Sequence, residues 1–267
     1  MKPELFEFLG MPIYSYRLLL AVAFVLCTLL AVRASERRSG GVRLVPLMGI
    51  WALGGALLGA RTFYVLQYRS PAEYWTAMVV WEGGLVFYGG LLGGAAAVAI
   101  HWRLRGTPFL KGADVVAPYL ALGEAITRIG CFLNGCCHGA LTHIPWGMRF
   151  PPGSVAYQAQ LDSGLITTAD LRAHACHPTQ LYMALGLLLV FGLLHPLRLR
   201  QLQAGFTVCG YLLLYGILRF LVEFLRGDSA RSVFGMTVSQ VISLALIIGA
   251  GSLLASRYFR VSTTEIP

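Results

Sequence analysis

The sequence predicts an all-α integral membrane protein with seven transmembrane helices. The N-terminus is expected outside, the C-terminus in the cytoplasm, and an ordered loop region on the outer face. Three observations carry this. Of 267 residues 57% are apolar and only 12% are charged, with a mean hydropathy of +0.67, whereas a soluble domain carries about a quarter charged residues. Seven stretches approach or exceed the roughly 17–25 apolar residues that cross a bilayer. The connections between them split the basic residues unevenly, and positively charged loops stay in the cytoplasm.

The first span is expected at Tyr14–Val32. No small-residue cleavage site follows it, so it reads as a retained helix and not a removed signal peptide. The others are expected at Leu44–Tyr68, Leu85–Trp102, Val115–Leu133, Pro178–Leu197, Gly205–Leu225 and Val233–Ser256. One set of connections holds Arg33, Arg37, Arg38 and Arg43, then Arg103, Arg105 and Lys111, then Arg198 and Arg200, then Arg257 and Arg260. The opposite set holds Lys2, Arg69, Arg149, Arg172, Arg226 and Arg231, so the count is eleven against six. The net charge of +9 therefore reports topology and contact with anionic lipid, and nucleic acid is not an expected partner. No linker or repeat interrupts residues 1–267, which read as one domain. The longest extramembrane segment, residues 135–177, mixes Pro145, Pro151 and Pro152 with Trp146, Phe150 and Tyr157. A loop of that length is uncommon unless it is functional or disordered, and its aromatics favour an ordered cap.

Arg17, Arg61, Arg128 and Arg219 lie inside the apolar stretches. An arginine at membrane depth costs several kcal/mol unless it is paired or faces water, which makes each a candidate functional residue. The expected orientation puts all four near the outer leaflet, together with Tyr88, His177 and Gln180. Glu124 with Arg128, and Tyr215 with Arg219 and Glu223, share helix faces by i,i+4 spacing. Simple neutralisation explains each pair, but not four arginines at one depth. A guanidinium fork suits phosphate oxygens, so an anionic phospholipid headgroup is the expected ligand. From Arg128 to Gly139 the chain reads Arg-Ile-Gly-Cys-Phe-Leu-Asn-Gly-Cys-Cys-His-Gly. Glycines there break the helix and free backbone amides for an oxyanion.

Cys131, Cys136, Cys137, His138, His143, His174, Cys176 and His177 all fall near the same face. Three readings stay open. A disulfide from Cys176 to Cys136 or Cys137 suits an oxidising exterior. A thiol redox centre is a second reading, although the adjacent cysteines lack a C-x-x-C arrangement. A metal site is the third, but the spacing matches no standard finger pattern, so neither metal nor cofactor is expected.

These residues resemble the bacterial phosphatidylglycerol–prolipoprotein diacylglyceryl transferases over nearly the whole chain. The resemblance runs through Tyr14–Tyr16, Gly59–Arg61, Trp81–Gly93, Arg128–Gly139, His177–Tyr182 and Tyr215–Phe220 with Glu223, Arg226 and Asp228. It implies a multi-pass enzyme of the bacterial inner membrane. Such an enzyme moves the diacylglyceryl unit of phosphatidylglycerol to the lipobox cysteine of a prolipoprotein signal peptide, the first step of lipoprotein maturation, and releases glycerol phosphate. By the same resemblance Arg128 and Arg219 bind phosphate, and Tyr88 and His177 stand with them as catalytic candidates. Tyr16, Arg61, Gly89, Gly90, Asn134, Gly139, Gln180, Tyr215 and Glu223 are assigned to substrate binding. The chain departs from the family pattern at Tyr88, where a histidine is usual. It departs also at Cys131 and Cys136, in place of Asn and Glu, and at Arg17 and Met183. The rival expectation is a membrane thiol redox or metal-handling protein on the same scaffold, using the Cys/His cluster. A lipid-binding protein without catalysis is a further rival.

Overall fold

A computed structural model describes residues 4–8, 11–38, 44–69, 84–197, 203–227 and 235–264. Among these residues the chain forms eight helices: α1 (Ser15–Arg38), α2 (Leu47–Tyr68), α3 (Phe87–Leu104), α4 (Phe109–Asn134), α5 (Val155–Asp162), α6 (Thr179–Leu197), α7 (Phe206–Glu223) and α8 (Val238–Thr264). The expected all-helical character holds with one exception. Strands β1 (Glu4–Phe8) and β2 (Met11–Tyr14) pair as an antiparallel hairpin ahead of α1. Pro12 sits opposite Glu7 in this two-stranded sheet, which has only edge strands, where a proline is tolerated.

Six helices are long and apolar enough to cross a membrane: α1, α2, α4, α6, α7 and α8. The seventh expected span corresponds to α3, which forms as a helix of 18 residues. Four glycines together with His101 and Arg103 dilute its apolar character. The apolar helices are not buried all round by protein. On α6, Met183, Leu187, Val190 and Leu194 are buried, while Leu185, Leu189 and Leu193 are 63%, 70% and 59% exposed. Large aliphatic side chains left open along one helix stripe belong in lipid, where no water penalises them.

The chain divides into two compact units, one of residues 28–115 and one of residues 1–27 with 116–267. In the first, α2 and α3 approach through small residues. A Cβ on Gly59 would lie 2.8 Å from the Gly93 Cα, and one on Gly89 would lie 2.6 Å from the Phe63 Cβ. Backbones that close exclude any larger side chain at those positions. The same unit holds a cavity of about 350 Å³ lined by Leu44, Val45, His101, Trp102, Arg105 and Thr107, which takes in none of the candidate site residues.

In the second unit, α4, α6 and α7 form a helical core in which Ala121, Ala125, Met183, Leu187 and Val222 are buried together. The segment 135–178 is an ordered cap. Phe150, Ala156, Tyr157, Ile166, Ala173 and Cys176 make its small core. Ser154 caps α5 through the Tyr157 amide at 3.3 Å. The buried Gln160 side chain accepts from the His174 amide at 2.7 Å and donates to the His174 carbonyl at 3.2 Å. The Cys176 amide donates to the Met148 carbonyl at 3.0 Å, and the Met148 amide returns to the Cys176 carbonyl at 2.9 Å. These bonds satisfy the backbone of a long loop that carries little regular structure.

Candidate active site

Helix α4 ends at Asn134, and the chain then reverses. Gly135 takes φ +75° and Cys137 takes φ +57°, the only positive φ at a non-glycine among the described residues. Such a φ costs a residue with a Cβ about 1–3 kcal/mol and persists only where neighbours fix it. Two neighbours on the first turn of α6 do so. Thr179 Oγ1 donates to the Cys137 carbonyl at 2.7 Å, and Gln180 Nε2 donates to the Cys136 carbonyl at 2.8 Å. The Gln180 side chain is 1% exposed and its Oε1 has no hydrogen-bond partner among the described residues.

Gly139 closes the turn where three segments meet. Its amide donates to the His177 carbonyl at 2.9 Å, and the following Ala140 amide donates to the Leu225 carbonyl at 2.8 Å. A Cβ on Gly139 would stand 2.5 Å from the His177 Cβ and 2.6 Å from the Leu225 oxygen. Glycine is required here by contact, because backbone and side chain already occupy the space.

The arginines beside this turn carry the charge. Arg128 Nη2 meets Glu124 Oε1 at 2.9 Å, as the i,i+4 spacing predicts. Arg219 Nη1 meets Glu223 Oε2 at 2.8 Å, and its Nη2 donates to Ser239 Oγ at 3.0 Å. Arg226 Nε stands 3.8 Å from the same Glu223 oxygen. Arg219 lies in the field of both Arg226 and Arg128, so three guanidiniums gather about Glu124 and Glu223 among the described residues, with Glu223 fully enclosed. Tyr16, half-buried, shares this field with Arg128 and the three neighbouring cysteines. Tyr215 borders Arg219, and Asn134 hydrogen-bonds the Cys136 thiol.

His177 lies beside the turn, whereas Arg61, Tyr88, Gly89 and Gly90 belong to the unit of residues 28–115. His177 Nδ1 stands 3.5 Å from the Tyr182 hydroxyl, which also accepts from Trp146 Nε1 at 2.8 Å. In the unit of residues 28–115, Arg61 is 1% exposed and turns its guanidinium to the Gly84 carbonyl at 3.4 Å and over the Tyr64 ring at 5.3 Å. Tyr88 is 46% exposed on the first turn of α3, edge-on to Phe87. Gly89 and Gly90 serve the α2–α3 approach. Arg17 is exposed and lies over the Tyr14 ring at 5.1 Å. Trp81, Glu82, Gly83, Asp228 and Arg231 fall outside the described residues.

The cysteines do not form the disulfide considered from sequence, and all six are free thiols. Cys176 is buried in the cap core with Gln160 Nε2 at 3.2 Å, and burial pushes its thiol above the ordinary value. Cys131, Cys136 and Cys137 instead meet one another, with all three Sγ atoms within 4.8 Å. Hydrogen bonds from the Cys131 and Cys136 thiols hold the Cys137 thiol below its ordinary value, and the Arg226 and Arg128 charges add to the effect. In the sequence Arg226 enters as a loop charge and a point of the family resemblance, Thr179 only as part of the resembling stretch His177–Tyr182, and Ser239 not at all. The Glu223–Arg226 i,i+3 spacing was the available signal for the first.

A multi-pass membrane protein with an arginine-lined, glycine-broken helix end is the class that fold and site define. The chain belongs to the prolipoprotein diacylglyceryl transferase family, whose profile matches residues 3–256. A phosphatidylglycerol–prolipoprotein diacylglyceryl transferase of Clostridium tetani is 33% identical, covering 93% of this chain and 94% of its own length. Enzymes of that name from Gloeobacter violaceus and Synechococcus elongatus are 33% and 34% identical over 93% and 92% of this chain.

Proposed function

We propose that this protein transfers the diacylglyceryl group of phosphatidylglycerol to the lipobox cysteine thiol of prolipoprotein signal peptides. It acts at the outer leaflet of the bacterial inner membrane, through seven spans with the N-terminus outside. The observation that carries the reading is the convergence of Arg128, Arg219 and Arg226 beside the glycine-broken end of α4, with Glu124 and Glu223 the carboxylates that orient them among the described residues. This arrangement favours an anion, and forked guanidiniums match phosphate oxygens two at a time.

The reaction asks for two things. The acceptor thiol must become a thiolate, since that is the nucleophile. The phosphate that departs as glycerol phosphate must have its growing charge met by donors already in place. Arg128 and Arg219 supply that charge, each held in orientation by its carboxylate. Tyr16, Tyr215 and Asn134 border the arginines and the turn, and Gln180, whose Oε1 has no partner among the described residues, offers it to a hydroxyl or amide of the substrates. His177 stands at the rim through Tyr182.

The test is direct. Purified protein in detergent receives labelled phosphatidylglycerol and a lipobox peptide. The expected products are diacylglyceryl-peptide and glycerol phosphate in equal amounts, with neither formed from a peptide carrying serine for the cysteine. Folded protein that binds the lipid and yields no product overturns the reading in favour of a lipid-binding protein.

A further inference from the structure

The thiol cluster is more than the proposed transfer has yet used. Cys131 is the only one of the three on a helix, near the end of α4, and Cys136 and Cys137 return to it through the reversed turn. Their Sγ atoms lie within 4.8 Å of one another. Three thiolates on a tetrahedral zinc, with Zn–S about 2.3 Å, stand roughly 3.8 Å apart, so the cluster is within a small contraction of that geometry. The turn is built before any ligand arrives: Thr179 and Gln180 fix both cysteine carbonyls, and Asn134 bonds the Cys136 thiol. Cys131 is buried, whereas Cys136 and Cys137 remain partly open, which leaves one side of the triangle accessible.

We propose that Cys131, Cys136 and Cys137 hold a zinc ion whose fourth position takes the sulfur of the acceptor cysteine. Three protein ligands with one open position are the pattern of catalytic zinc, and thiolate donors select soft ions such as zinc. Zinc on three thiolates carries one net negative charge, and Arg128 and Arg226 are the cations beside it. The C-x4-C-C spacing escapes finger patterns because its ligands come from one helix end and the tight turn after it.

The catalytic half of the proposal rests on the transferase reading; the metal-binding half does not. The acceptor thiol loses its proton to solvent as its sulfur enters the fourth position. A sulfur lone pair then forms the S–C bond to the glyceryl carbon. The C–O bond from that carbon to phosphate breaks, and glycerol phosphate leaves with the bonding electrons beside the arginines. Charge is balanced without an oxidant or reductant.

The experiment uses the full chain, stripped with a chelator and reloaded with Zn²⁺ or Co²⁺. Expected are one metal ion per chain, a thiolate-to-cobalt charge-transfer band, and a change in that band with the cysteine lipobox peptide but not the serine one. Transfer should be lost on chelation and return with Zn²⁺. Cys136→Ser and Cys137→Ser should lose the band while Cys27→Ala keeps it, and thermal melts establish that each variant is folded. Transfer by folded, metal-free protein overturns the proposal and leaves the transferase standing. A bound metal whose spectrum ignores the peptide also overturns it. A peptide-responsive cobalt band without any transfer product upholds the site and overturns the transferase reading.

Discussion

Arg61 and Arg219 are both arginines set in long apolar helices, and their surroundings differ in kind. Arg61, in the unit of residues 28–115, is 1% exposed, with a backbone carbonyl and a tyrosine ring as its described contacts. Arg219, in the other unit, is partly open, fixed by a carboxylate and a serine, and stands in the field of two more guanidiniums. The first environment encloses the cation and meets its cost with contacts such as a carbonyl oxygen and the face of an aromatic ring. The second holds a cation at a set angle, partly open and beside two other guanidiniums. An arginine at membrane depth is thus a functional signal only when its neighbours leave the charge something to do.

The contrast is broken most forcefully at Arg219. Arg219→Lys keeps the charge and loses the fork, so transfer should fall about 10²–10³-fold, the usual cost of one missing donor at a developing anion. Wild-type turnover by a folded Lys variant would remove Arg219 from the phosphate site. Next in size is Gly139→Val, which drives a side chain into His177 and Leu225. Loss of cap folding, read by protease sensitivity between residues 135 and 178, is expected, with transfer falling alongside. Arg61→Met should instead act on stability, lowering it by about 1–3 kcal/mol for a buried acceptor left unmet, while turnover per folded molecule changes little. A collapse of turnover at unchanged melting temperature would put Arg61 with Arg219. The smallest effect is expected at Tyr88→Phe. An exposed ring edge-on to Phe87 predicts a loss under about tenfold, roughly 1.4 kcal/mol. A loss of several hundredfold would place the Tyr88 hydroxyl in the chemistry.

Local features of the sequence were legible and distant ones were not. Helix positions followed from apolar run length, and the pairs Glu124–Arg128 and Arg219–Glu223 followed from i,i+4 spacing. The break in α4 could be read from Gly135. What Cys136 and Cys137 do after that break could not, because their placement depends on Thr179 and Gln180, 42 and 44 residues away. The same long-range closure explains why a disulfide to Cys176 looked reasonable: proximity in the loop is not proximity in space, and Gln160 holds Cys176 within the cap core. The β1–β2 hairpin is hidden in the sequence because β2 runs directly into α1, whose long apolar run dominates the hydropathy.

The claim on which the account rests is that the Arg128 side of this contrast binds the phosphate of the lipid donor. Arg128→Ala, measured for phosphatidylglycerol binding and for transfer to a lipobox peptide on protein shown to be folded, tests it most directly. Both should be lost together, while the Arg61→Met protein retains both. Undiminished lipid binding and turnover in folded Arg128→Ala would contradict it.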